Sequence, residues 1–143
     1  MLTLCFFGLI ATIASVSRPV LAQTPCDSTT DAYLVMEITA AIKADSKLAP
    51  QMSHINVASI YRAVKLYGWT DTNDDYDKVY SIVSNTKCVK LINVNLFEKT
   101  PPPANSPLRP QAGGCGPGTK ACGDICIPDN EICSITGKSG NEE

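Results

Sequence analysis

The chain between Ile55 and Trp69 alternates side chains with a period of two, and this stretch most limits the folds open to the sequence. The alternation is seen in Ile55-Asn-Val-Ala58 and again in Val64-Lys-Leu-Tyr67. A period of two places every second side chain on the same sheet face. It therefore predicts two strands with a polar turn near residues 59–62 and another turn starting at Gly68. Because an isolated hairpin is only marginally stable in water, its apolar face needs cover from helices.

Two amphipathic helices are predicted, one on each side of this hairpin. The first spans residues 27–47, begins among capping and acidic residues and stops before Pro50. Its apolar stripe consists of Leu34, Ile38, Ala41 and Ile42. The second begins at residues 72–75, and its stripe consists of Tyr76, Val79, Tyr80 and Val83. The acids near its start lack the spacing of a calcium loop, so we interpret them as charge favourable to a helix N-terminus.

A third strand is predicted over residues 89–97, where the apolar side chains change parity part-way along. Such a change indicates either a bulge or a strand covered on both faces. The predicted order is thus helix, strand, strand, helix, strand. Elements in this order predict a small α+β domain, residues 23–99, with both helices on one face of a three-stranded sheet.

An export signal is predicted at residues 1–22. An uncharged apolar run from Leu2 to Val16 is followed by small residues that end at Ala22. The alternative is an uncleaved membrane anchor, although the run is shorter than a typical span. The whole chain has a formal net charge of −2, and loss of Arg18 with the signal leaves −3. A mildly acidic chain with scattered lysines gives no indication of nucleic-acid binding.

Six cysteines remain after the predicted signal. An even number of cysteines in an exported chain predicts disulfide bonds in an oxidising compartment, either periplasmic or extracellular. A zinc site is the alternative for the last four, but their spacing differs from that of common zinc modules. The predicted disulfide-bonded residues are Cys26, Cys88, Cys115, Cys122, Cys126 and Cys133.

The C-terminal part is predicted to contain three segments. Residues 100–114 hold five prolines and end in glycines, which predicts a semi-rigid linker. Residues 115–134 form a Cys-rich disulfide module, called here the tail, and residues 135–143 are predicted to be disordered. Alternating or sequential pairing is expected in the tail, since a Cys122–Cys126 bond would close a very short loop.

Residues 31–96 resemble a BON domain, the small module named for bacterial osmotically induced and nodulation proteins. Ala63-Val-Lys-Leu-Tyr-Gly68 stands where that family has a Val-Val-x-Leu-x-Gly run, and residues 89–96 are similar to its closing strand. The first helix and Ile55-Asn-Val57 also match. The resemblance implies the αββαβ fold and attachment to phospholipid membranes or envelope proteins.

The sequence departs from the BON pattern at two places. Its hairpin turn lacks the usual Asn-Gly or Asp-Gly, so we expect a longer turn or one of another type. Cys88 stands where the family often has glycine. Together with Cys26 it suggests a disulfide across about 60 residues, which contributes roughly 4 kcal/mol in the loop-entropy model. Pairing of either cysteine with the tail is the alternative.

The predicted contact surface is the sheet face opposite the helices. If Val64 and Leu66 face the helices, then Lys65, Tyr67 and Trp69 project outward, and aromatic side chains beside a cation suit a membrane interface or a protein partner. The first hypothesis is therefore a non-catalytic cell-envelope protein. The second is a small secreted binding or inhibitor protein whose tail recognises a protein.

Nothing in the sequence indicates catalysis. The chain has one histidine, His54, which we interpret as a structural or solvated side chain. No nucleophile elbow, paired-carboxylate or phosphate-loop pattern accompanies it. We therefore expect no enzyme activity, no cofactor, no metal and no small-molecule substrate.

Overall fold

The computed structural model describes residues 26–135. Two α-helices and five strands follow one another along these residues. The α+β class and the predicted αββαβ order are confirmed. The predicted export signal and residues 136–143 lie outside the described range. The elements are α1 Asp31–Ala44, β1 Ile55–Ile60, β2 Ala63–Trp69, α2 Asn73–Asn85, β3 Leu91–Glu98, β4 Thr119–Cys122 and β5 Ile125–Pro128.

The main sheet has the strand order β1-β2-β3, so β2 is central. β1 and β2 are antiparallel, whereas β2 and β3 are parallel and are connected through α2. Both helices pack on the sheet face that carries Val57, Val64 and Leu66. The prediction for the helix stripes is partly wrong, because Ala41 and Tyr80 are exposed.

Asp45 ends α1 earlier than predicted. Its carboxylate accepts hydrogen bonds from the backbone N–H groups of Lys47 (2.9 Å) and Leu48 (3.2 Å). These bonds favour a turn over further helix, and a 3₁₀ helix, Ala49–His54, follows with Pro50 in its first turn. The chain then enters β1 directly.

The β1–β2 turn differs from the prediction, since it has only two residues although neither is glycine or asparagine. Ile60 pairs with Ala63, and Tyr61 and Arg62 have φ values of 52° and 65°. Positive φ at both positions is what a type I′ hairpin turn requires. The turn is held from outside by Asp31, whose carboxylate accepts hydrogen bonds from the Tyr61 N–H (2.9 Å) and the Arg62 N–H (2.8 Å).

Gly68 lies inside β2 and not in a second turn. It pairs with Ile55 and has a φ of 104°. A Cβ atom there would lie 1.9 Å from the His54 carbonyl oxygen. The glycine therefore permits the close approach of the 3₁₀ helix to the central strand.

A bulge interrupts the pairing of β3 with β2. Lys65 and Tyr67 of β2 pair with Asn93 and Leu96, so β3 has one additional residue between these pairs. Before the bulge Ile92 faces the helices, and after it Phe97 does. A bulge was one of the two predicted alternatives, but it lies after the change of parity in the sequence, which falls between Leu91 and Ile92.

Three disulfides connect the described cysteines. Cys26 pairs with Cys88, as predicted from the positions of these two cysteines. In the tail the pairing alternates, with bonds Cys115–Cys126 and Cys122–Cys133. The predicted disulfides are confirmed. They fix a small antiparallel hairpin made of β4 and β5.

Candidate functional site

The tail covers the sheet face that was predicted to be open. Ile125 and Ile127 of β5 are fully buried in a second hydrophobic cluster, which also contains Tyr67 and Trp69. Tyr67 is 5% exposed and Trp69 is 3% exposed. The prediction that these two side chains project into solvent is therefore wrong. Alternation identified the correct face, but it gave no information about what lies on that face.

Lys65, the third predicted contact residue, forms an ion pair with the tail. Its Nζ lies 2.5 Å from Oε1 of Glu131, a residue that is only 5% exposed. Glu131 also forms a hydrogen bond with Tyr67. Burial, followed by this hydrogen bond, raises the pKa of the Tyr67 hydroxyl far above its usual range. The three side chains form a polar connection inside an otherwise apolar interface.

Residues 100–114 also lie against this face, although they were predicted to be a linker. Leu108 is buried, and its carbonyl accepts a hydrogen bond from the Cys126 N–H (2.9 Å). The next residue, Arg109, places its guanidinium 4.4 Å from the centre of the Trp69 ring. The segment thus has packing contacts that a free spacer lacks.

His54 stacks on Trp69, with ring centres 5.1 Å apart and an angle of 7° between the planes. Arg109 also lies over that ring. Burial lowers the pKa of His54, and Arg109 adds to this effect, whereas Asp71 and Asp124 oppose it. An open, polar pocket of about 640 Å³ lies beside the stack. Because Trp69 is only 3% exposed and already contacts both groups, the ring offers no open platform for a ligand.

Asn56 connects the edge of the sheet to the end of the tail. Its side chain is completely buried. Oδ1 accepts hydrogen bonds from the N–H (2.6 Å) and the hydroxyl (2.9 Å) of Ser134, and Nδ2 donates to the carbonyl of Ile132 (3.1 Å). The Ser134 hydroxyl in turn accepts a hydrogen bond from the Val57 N–H (3.0 Å). The tail therefore closes part of the outer edge of β1.

A groove of about 570 Å³ remains between α1, the end of β1 and residues 130–134 of the tail. We call it the α1 groove. Its walls are mostly apolar, and Met36 (62% exposed), Ile132 (62%) and Ile60 (43%) present their side chains to solvent there. Thr39 and Lys43 also line it. The groove joins three parts of the chain that are far apart in sequence.

Sequence reasoning missed the α1 groove. Met36 lies outside the stripe that faces the core, and Ile132 is an isolated apolar residue in a polar stretch. Each alone is an ordinary surface residue. Only the docking of the tail beside α1 makes them neighbours.

Comparison with models of protein families finds none that matches the chain, and comparison with curated proteins finds no matching relative. None of the helices within residues 26–135 has the length and hydrophobicity of a transmembrane span. The same range contains no group of three or more His, Cys, Asp or Glu side chains arranged to hold a metal ion. The three disulfides are consistent with an exported protein.

Proposed function

We propose that the protein is an exported, non-catalytic binding module that recognises a protein partner through the α1 groove. The observation that carries this proposal is the position of the exposed apolar side chains. Met36, Ile60 and Ile132 surround one concave surface, whereas the aromatic side chains of the outer sheet face are buried. Concave apolar surfaces with a polar rim are typical of interaction sites.

The disulfides support a rigid binding surface. Cys133, on the groove wall, is bonded to Cys122 of β4, and the tail hairpin is packed on the central strand. A wall fixed in this way loses little conformational entropy when a partner binds. The resemblance to BON domains supports an envelope setting for this interaction, and the observed element order agrees with that resemblance.

Attachment to a phospholipid surface is the second candidate. Tyr61 is 86% exposed and Tyr33 is 50% exposed. Both lie near the N-terminus of α1, where Asp31 binds the β1–β2 turn. Exposed tyrosines suit the interfacial region of a membrane. Contact through Lys65, Tyr67 and Trp69, as first predicted, would require the tail to leave the sheet.

A matched pair of variants tests the proposal. Ala40 lines the α1 groove, whereas its neighbour Ala41 is exposed and does not line it. Immobilised disulfide-bonded protein, its Ala40→Arg variant and its Ala41→Arg variant are each incubated with a library of random heptapeptides with free carboxyl termini. We expect the parent protein and the Ala41→Arg variant to retain the same peptides and the Ala40→Arg variant to lose them.

The same three proteins are sedimented with vesicles of phosphatidylglycerol and phosphatidylethanolamine. If the parent protein retains no peptide but binds vesicles, and Ala40→Arg abolishes the vesicle binding, then the α1 groove binds membranes and not a protein partner. Peptide retention that is equal in all three proteins would contradict the proposal, because binding would then occur elsewhere.

A further inference from the structure

The floor of the α1 groove contains a short segment of strand edge, at Ser59, that no other strand pairs with. In an antiparallel pair, alternate residues direct their backbone groups away from the partner strand. The Val57 N–H points away from β2, since it bonds to Ser134. Ser59 has the same parity and lines the groove, so its N–H and C=O point to the same edge. No strand within residues 26–135 pairs with this edge of β1, but the tail already occupies the Val57 N–H, so the edge is open to a peptide at Ser59.

A strand edge between a helix and a second wall suits an extended peptide. Such a peptide adds to the sheet through backbone hydrogen bonds, and the walls receive its alternate side chains. We propose that the α1 groove binds the extended C-terminal segment of a protein partner, antiparallel to β1 and with its terminal carboxylate beside Lys43. This inference rests on the proposed function and specifies the part of the partner that is recognised.

The position of α1 determines which end of an antiparallel peptide lies near Lys43. Asp31, its first residue, binds the β1–β2 turn through the Tyr61 N–H, so the start of the helix lies at the turn end of the groove. Lys43, in the last helical turn, lies toward the other end. A chain antiparallel to β1 runs away from the turn, and its carboxyl terminus therefore approaches Lys43.

Charge and hydrogen-bonding capacity at that end fit a carboxylate. Lys43 lines the groove and has no ion pair among residues 26–135. Thr39, one helical turn earlier, has a buried hydroxyl oxygen without a hydrogen-bond partner. Both groups are donors, and charge-assisted hydrogen bonds to a carboxylate are stronger than those between neutral groups.

The side walls select apolar residues in the peptide. Met36 on one side and Ile132 on the other are both exposed without a ligand. The flexible thioether of Met36 can adapt to different side chains. The residue of the peptide opposite Ser59 would exchange two backbone hydrogen bonds with it, which fixes the register.

The test uses a heptapeptide that the parent protein retains and the Ala40→Arg variant does not. Its dissociation constant is measured by fluorescence anisotropy with a free and with an amidated carboxyl terminus, against the parent protein and the Lys43→Ala variant. Lys87→Ala, at an exposed lysine beyond α2, is the control. We expect amidation or Lys43→Ala to weaken binding about tenfold, the two changes together to add little, and Lys87→Ala to have no effect.

Backbone pairing is tested on the peptide, so that protein folding is not affected. Methylation of single amide nitrogens should weaken binding at least tenfold at the position opposite Ser59 and have a smaller effect at the adjacent positions. Suppose that peptides lose binding with Ala40→Arg and yet bind as before after amidation, after each N-methylation and to the Lys43→Ala variant. That result would overturn this inference and leave the proposed function intact. Failure to find any peptide sensitive to Ala40→Arg would overturn both.

Discussion

The ammonium of Lys65 and the carboxylate of Glu131 form an ion pair between the central strand and the tail, 66 residues apart in sequence. The Lys65 side chain is 30% exposed, whereas that of Glu131 is 5% exposed. The pair therefore lies at the border of the interface that the tail forms with the sheet. Removal of either partner would leave the other charge only partly solvated.

We expect Glu131→Gln to lower the free energy of unfolding by about 2 kcal/mol, less than for a fully buried pair because Lys65 keeps some access to water. Urea denaturation of Glu131→Gln, Lys65→Met and the double variant gives the coupling energy between the two residues. A double variant whose loss equals the sum of the two single losses would show that the pair contributes no coupling.

The burial of Tyr67 and Trp69 is the part of the candidate site that the sequence did not predict. Period-two alternation gave the strands and their parity, because those depend on local geometry. What covers the outer face depends on a segment about 60 residues later. Ile125 and Ile127, separated by one residue, were the available sign of a further strand with a buried face. The cysteines around them favour a separate disulfide module instead.

The β1–β2 turn was mispredicted for a related reason. Local preference argued against a two-residue turn, because tyrosine and arginine disfavour a positive φ. The hydrogen bonds from the turn to Asp31 come from a helix 30 residues earlier, and they override that preference. The β3 bulge was predicted only in part: the sequence changes parity between Leu91 and Ile92, whereas the bulge moves the core-facing position from Val94 to Phe97.

Replacement of the turn by Asn-Gly should stabilise the protein. The left-handed conformation costs roughly 1–2 kcal/mol for an ordinary residue, and Tyr61 and Arg62 both adopt it. We expect Tyr61→Asn/Arg62→Gly to raise the free energy of unfolding by about 1 kcal/mol in chemical denaturation. Tyr61→Ala/Arg62→Ala is the control, because it removes the same side chains without relieving the backbone. An equal gain in both variants would mean that the side chains and not the backbone are responsible.

Stability should rise with pH across the range in which His54 titrates. The pKa of His54 is lowered from 6.5 in the folded protein, chiefly by burial, so the unfolded chain binds the proton more readily. The contribution of neutral His54 is complete above about pH 6.5 and is lost as the pH falls toward the folded pKa. Thermal unfolding between pH 5 and 7.5 should show this slope, and His54→Phe should reduce it.

A second loss of stability should appear at lower pH. The pKa values of Asp31 and Asp75 are lowered, first by hydrogen bonds from Ser59 and Thr72 respectively. Their contributions are present above the usual aspartate pKa and disappear as the pH falls through the lowered values. Because this window lies below that of His54, the His54→Phe variant should keep the second loss. If the stability of His54→Phe still rises between pH 5 and 7.5 as steeply as that of the parent protein, His54 is not the cause of that rise.

Docking of the tail hairpin depends on Gly123. Its φ is 60°, and a Cβ atom would lie 2.2 Å from the carbonyl oxygen of Ser53, which accepts a hydrogen bond from the Asp124 N–H (2.7 Å). Gly123→Ala must therefore move the β4–β5 turn away from the 3₁₀ helix. We expect it to lower the free energy of unfolding by about 2 kcal/mol, as strain at a special backbone position does. Faster amide exchange in β5 and at Ser134 should accompany this loss.

Gly116→Ala is the matched control, because nothing lies within 4 Å of a Cβ atom at that position. It should leave both stability and exchange unchanged. Since Ser134 and Ile132 hold the groove wall to Asn56, the Gly123→Ala change should also weaken heptapeptide binding in the α1 groove. If the peptide affinity stays at the parent value while β5 exchanges faster, the wall of the groove is formed independently of the docked hairpin.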